Sequence, residues 1–488
     1  MHVLRGASVT TVIEGMKTWV VGTLPALNQA AYHGSLSYEA LAALCNDELL
    51  PQAPPVEALT PAQAMQVLML LGLCGSSIER HAQQQTLRRA LTRVAPPAPP
   101  TPPPVTPGQG LERLRVGRHQ RFIDYFQRVA DVIGHPYRDS FTTYIASNGP
   151  AIAILHPDTG EMIHGLPAGF SDGTLVTFTQ EDAEVEFIRL LKECAGLQGA
   201  ANLFLEQLQQ SGISVAHRDA IRAALHATTL LCAIRAKIVE FMRRSSFQAD
   251  FFLDILRQYA CQWSQDRALR APSGANDPTA LHRDVMLFAE LVPSSAHFPG
   301  YKAHVHQVCS VLMPPEVERI TRARRTESLE EQIYTQLGLT KQAINALDER
   351  AVLGVLAQHP WLAAYALLYK AQKDVSHAHY GTVMHYLVKP KRARDAQADP
   401  REAVTIVANT HGTTGMDPLQ IMQHLNEARA HHFLASLSVG ERARQWIRRE
   451  VSALGYVPPT HAQLLRLVVG DRGQGGASSH WGSADRHE

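Results

Sequence analysis

The chain has 488 residues, of which 45% are hydrophobic and 19% charged, and 46 Lys+Arg against 45 Asp+Glu leave a net charge of +1. These proportions are ordinary for a soluble globular protein of two or three domains. The near-neutral balance argues against nucleic acid or a membrane surface as partner, since both call for a basic excess on one face.

The 24 histidines are an ample store of metal or haem ligands. The six cysteines (Cys45, Cys74, Cys194, Cys232, Cys261 and Cys309) form no C-x-x-C pair, which disfavours a zinc ribbon, iron–sulfur cluster or thioredoxin-type site. The opening residues lack the basic-then-apolar pattern of a signal peptide. The longest apolar run, Val67–Gly75, falls well short of the roughly 20 residues a membrane helix needs. A cytoplasmic protein is expected.

In chain order, residues 1–94 read as a helical region. Within it Thr60 caps a helix that has Pro61 at its first position and Gly75 as its stop. Residues 95–110 are a proline-rich linker suited to polyproline II. Residues 111–180 read as a small mixed region. It holds an amphipathic helix before Gly134, then strands or extended pieces at Phe141–Ser147 ("FTTYIAS"), Ala151–His156 and Thr174–Thr179. Residues 181–468 are almost wholly helical in pattern, and the Gly/Ser-rich residues 469–488 read as a disordered tail. The expected fold class is mainly α, a large helical domain with a smaller mixed N-terminal domain.

Three histidines fall within nine residues in Ser376–Pro390, "SHAHYGTVMHYLVKP". On a helix His377 and His379 point to nearly opposite sides, and His385, six residues beyond His379, is also out of line. The three do not converge on one metal. His379 shares a face with Val375, Val383, Tyr386 and Leu387. It is either a core histidine with a satisfied hydrogen bond or a haem ligand held by a rigid apolar wall. In "QADFFLDILRQYACQW" the positions Phe252, Ile255, Leu256, Tyr259 and Trp263 form one apolar stripe, with Arg257 beside it. Arg257 either pairs with Asp254 at i−3 or offers its planar fork to a substrate carboxylate. In "NTHGTTGMDP" a glycine loop, Gly412, Thr413, Thr414 and Gly415, feeds a helix start that can present N–H groups to an anion.

Taken in order, "FFLDILRQYACQW", "LMPPEVER" (Leu312–Arg319), "HYGTVMHYLVKP" and "GTTGMD" resemble the indoleamine 2,3-dioxygenase family of haem enzymes, over roughly Gln180 to Leu437. The resemblance implies a helical haem-binding domain with haem b as cofactor. It makes His379 the proximal iron ligand, because it precedes the motif's tyrosine, Tyr386, by seven residues. It makes Arg257 the residue that binds the substrate carboxylate and Phe252 a pocket aromatic. Tyr144 is implied to line the pocket, and Gly412–Gly415 to assist in binding substrate. The segment before Cys194 resembles the family's distal helix, with Arg189 where a small hydroxyl residue is usual. "FAELVPSSAHF" stands where a glycine- and serine-rich loop is usual, and Met416 where the motif has threonine.

The expected activity is therefore insertion of O2 into the C2–C3 bond of an indole such as tryptophan, giving an N-formylkynurenine-type product. An electron donor would keep the iron ferrous. The departures from the family pattern leave two alternatives open. One is an aromatic mono-oxygenase or rearrangement enzyme of the same superfamily, as monodechloroaminopyrrolnitrin synthase is. The other is a haem-binding sensor without turnover.

Overall fold

The computed structural model describes residues 8–93, 120–210, 212–261, 263, 274–289, 300–345, 347–401, 405–407, 433–436 and 440–470. Within them the chain is mainly helical, as the sequence pattern predicts. Helices α1 (Val9–Gly22), α2 (Leu24–His33), α3 (Tyr38–Leu44) and α4 (Pro61–Arg93) come before the proline-rich stretch. After it come α5 (Gln120–Ile133), α6 (Asp182–Gln210), α7 (Arg218–Arg244), α8 (Pro278–Leu287), α9 (Tyr301–Cys309), α10 (Pro314–Arg325), α11 (Leu329–Leu337), α12 (Lys341–Asn345) and α13 (Glu349–Gln358). The series ends with α14 (Leu362–Val383), α15 (Lys389–Ala396), α16 (Phe433–Ser436), α17 (Glu441–Ala453) and α18 (His461–Leu465).

The sheet is smaller than expected. Strands β1 (Ile152–Leu155), β2 (Met162–Leu166) and β3 (Val468–Gly470) pair antiparallel in the order β2-β1-β3, so the last described residues close onto residue 152. It lies on α6, where Gly196 and Gly199 make room. A Cβ at Gly196 would stand 2.9 Å from Ile152, and one at Gly199 would stand 2.4 Å from His164. The other two pieces expected as strands or extended segments form no strand. "FTTYIAS" contains a π-turn, Thr142–Ala146. Thr174–Thr179 joins no strand among the described residues, and the Asn148 carboxamide meets its backbone instead. It accepts from Val176 N at 3.0 Å and donates to Val176 O at 2.8 Å.

Helix α4 departs from expectation in an informative way. It begins as expected, with Thr60 Oγ1 accepting from Gln63 N and the Gln63 side chain returning to Thr60 N. It does not stop at Gly75 but runs on to Arg93. Glycine here gives close approach rather than termination. A Cβ at Gly75 would lie 2.3 Å from the Trp263 ring, and one at Gly72 would lie 3.1 Å from Asp139. Trp263 Nε1 donates to Ser76 Oγ at 3.0 Å, which fixes the contact. The helix is long enough to match a membrane span and its most apolar 18-residue stretch has mean hydropathy 1.3, yet 72% of that stretch is buried within the protein.

Two apolar cores organise the described residues. One is built from α6 and α7, covered by α8 to α11 and α14, with Ile154 of the sheet inserted. The other joins the N-terminal helices to later parts of the chain. Met16, Leu41 and Leu70 share it with Phe126, Phe178, Phe247, Leu256, Tyr259, Trp263 and Tyr386. The helices before the proline-rich stretch therefore bury their apolar faces against the segments that carry Arg257 and Tyr386.

Several histidines in these cores are held neutral. The His135 Nδ1–H donates to Pro136 O at 2.7 Å, and its Nε2 lies 3.0 Å from Ser140 Oγ. Burial pushes His135 down to about 4. Burial likewise lowers His282, to about 4, and His81, well below the usual histidine value.

The packing at Gly75 and the buried imidazole of His135 are both open to test. Helix propensity alone would make Gly75→Ala stabilising by about 1 kcal/mol. The Trp263 ring makes it destabilising instead, by roughly 1–3 kcal/mol in urea unfolding; equal or greater stability would contradict the packing. Between the histidine's unfolded value near 6.5 and its folded value of about 4, the unfolded chain binds the extra proton, so His135 withdraws stability as pH falls. The stability of the native protein relative to His135→Gln should drop by up to about 1.4 kcal/mol per pH unit across that window. A difference that stays flat would mean the folded state accepts the proton.

Candidate functional site

Helix α14 is anchored along one face. Tyr365 Oη donates to Val215 O at 2.8 Å, Tyr369 Oη to Leu287 O at 2.7 Å, and the fully buried Gln372 donates to Asp284 at 3.1 Å. This clamp runs to Ser376, which is also buried. From His377 to His385 no residue is buried, and His377, His379 and His385 are exposed. A π-turn at Met384–Val388 then returns Tyr386, Leu387 and Val388 to the core.

This modifies the expected apolar stripe. Val375, Tyr386 and Leu387 are buried and Val383 is half-buried, but His379 is open to solvent. The extra residue of a π-turn rotates the chain beyond it, so α-helical spacing from His379 does not carry across to Tyr386 and Leu387. Facing the His379 imidazole is the 274–276 turn, where a Cβ at Gly274 would stand 3.9 Å from Nε2. Among the described residues, no three His, Cys, Asp or Glu side chains converge as a metal site.

Arg257 follows a second π-turn, Phe251–Leu256, and opens a short 3-10 turn, Arg257–Tyr259. A π-turn leaves carbonyls without their α-helical partners, and here side chains supply them. Gln258 Nε2 donates to Leu253 O at 2.7 Å, and Arg80 of α4 donates to Asp254 O at 3.2 Å. The Arg80 guanidinium also lies 4.0 Å over the Tyr259 ring. The Asp254 carboxylate is bound by Arg394 of α15 at 2.6 and 2.9 Å, with Arg401 at 3.2 Å. Arg257 itself is 6% exposed, and burial lowers its guanidinium to about 10, so it stays cationic at neutral pH. A buried cation attracts an anion more strongly than one in water.

Phe252 is half-buried, where the periodicity predicts full burial. Its ring centre lies 5.8 Å from that of Phe247 and 6.3 Å from that of Phe187 on α6. Phe247 meets Tyr386 edge-on at 5.1 Å and stacks on Phe187 at 5.1 Å. The structure thus brings the element bearing Arg257 and the end of the helix bearing His379 onto one aromatic cluster.

The remaining candidates fall elsewhere. Tyr144 is buried and donates to Glu184 Oε1 at 3.0 Å. Its ring packs on Phe178, which stacks on Tyr259 with ring centres 4.0 Å apart. Burial, with Glu184 alongside, drives the Tyr144 hydroxyl well above the usual tyrosine value. Arg189 is exposed on α6, on the face shared with Glu186 and Glu193. Those two carboxylates bind Ser246 and Lys237. Gly412, Thr413, Thr414 and Gly415 lie outside the described residues.

Sequence reasoning missed Phe247, Phe187, Gly274 and Arg394. Phe247 stands in a short connection after α7, and Arg394 in a basic run that reads as a solvated loop, so neither has a periodic context to mark it.

Because Phe247 is buried and central to the cluster, Phe247→Ala is expected to cost about 3–5 kcal/mol in denaturant unfolding, and Phe252→Ala distinctly less. Equal costs would show that Phe247 is not the shared contact. Compared with protein-family models and with curated proteins, this chain finds no match.

Proposed function

We propose that the protein is a haem-dependent dioxygenase acting on an indole that carries a carboxylate, with His379 as the protein ligand to iron. The observation that carries this reading is one exposed imidazole on a clamped helix, joined through Tyr386 and Phe247 to the element that bears a buried arginine. A porphyrin supplies four of its iron's ligands itself, so a single histidine suits it where a bare metal ion would need several side chains. A lone His379 is a donor set that haem, unlike a bare metal ion, can use.

When bound, haem would supply the activation of O2. The chain's own part is binding and orientation. Arg257 holds the carboxylate through its planar fork, and burial keeps that contact strong. Phe252, with Phe187 and Phe247 behind it, offers an aromatic wall for the indole. Tryptophan plus O2 yields N-formylkynurenine with every atom retained, so no side-chain general base is required.

The test is reconstitution with hemin, reduction, and incubation with tryptophan and O2. A product heavier by two oxygen atoms supports the dioxygenase reading, and one heavier by a single oxygen replaces it with a mono-oxygenase. His379→Ala is expected to lose the Soret band of the bound pigment, whereas His377→Ala and His385→Ala keep it. A normal spectrum in His379→Ala would move the ligand elsewhere.

A further inference from the structure

The turn before Arg257 is held by several charged side chains. Asp254, three residues earlier, is fixed twice: its carbonyl accepts from Arg80, and its carboxylate is gripped by both terminal nitrogens of Arg394. Arg394 is 4% exposed and reaches Asp250 as well, so one guanidinium ties both acidic residues of the turn to α15, the helix that comes after Tyr386. Arg401 closes the outer side, 3.0 Å from Asp250 and 3.2 Å from Asp254.

A buried ion pair of this kind roughly breaks even against apolar packing of the same shape, and its best-attested use is to specify register. The register matters here. If the π-turn at Phe251–Leu256 relaxed to an α-turn, Arg257 would swing by about 100°. We propose that Arg394 is a positioning residue for Arg257, holding the π-turn so that the site prefers ligands bearing a carboxylate. This inference rests on the reading of Arg257 as the carboxylate-binding residue.

The full chain, reconstituted with hemin, is titrated with tryptophan and with tryptophanamide, which lacks the carboxylate. The unaltered protein should prefer tryptophan. Arg394→Met should weaken tryptophan binding at least tenfold while leaving tryptophanamide within about twofold, and Arg257→Ala should do the same. Combining the two should add little, because both remove one contact. Arg394→Lys, which keeps the charge but not the fork, should fall between. Asp254→Asn serves as the second variant should Arg394→Met fail to give a folded protein by circular dichroism.

Retention of the full preference in a folded Arg394→Met or Asp254→Asn protein overturns the inference, and so does equal weakening of both ligands. A native protein with no preference, unchanged by Arg257→Ala, overturns the reading of Arg257 and this inference with it.

Discussion

The ring of Phe247 is the point on which the candidate site depends. It touches Phe187 of the long helix α6, Phe252 of the turn before Arg257, and Tyr386 just beyond the helix that bears His379. Aromatic pairs gain from edge-on and offset contact beyond their buried area, and they hold rings at defined angles. Three segments that are remote in sequence therefore take up one arrangement: α6, the turn before Arg257, and the turn after the helix that bears His379.

That assembly is built on π-turns. One precedes Arg257, and another brings Tyr386 back to the core. Such turns are rare and concentrate at functional sites, because the extra residue re-aims side chains that a regular helix would point elsewhere. Each must satisfy the carbonyls it frees. Around Arg257 this falls to Gln258 and Arg80, polar side chains buried in an apolar surrounding for that purpose.

These features also explain how far the sequence can be read. The helices are legible because their apolar residues recur with a 3.6-residue period, and Thr60 with Pro61 marks the start of α4. The stop expected at Gly75 fails because glycine has two uses, ending a helix and admitting a neighbour, and only the position of Trp263 tells them apart. Phe141–Ser147 reads as a strand because β-branched and aromatic residues favour extended backbone, while the π-turn there is set by tertiary contacts. Phase and composition single out His379 and Arg257. Their burial is not legible, since a π-turn shifts the phase and leaves no mark in the residue pattern. Periodicity assigns His379 to an apolar face and it is exposed, whereas Arg257, placed beside a stripe, is enclosed with Leu256, Gln258 and Tyr259.

The central claim is that one imidazole of α14 holds an iron porphyrin. The most direct measurement is resonance Raman spectroscopy of the ferrous, hemin-reconstituted protein grown with isotopically labelled histidine. The account predicts an iron–imidazole stretching band that shifts with the label, disappears in His379→Gly and returns when free imidazole is added. The same band persisting unchanged in His379→Gly, or no label-sensitive band in the unaltered protein, would contradict it.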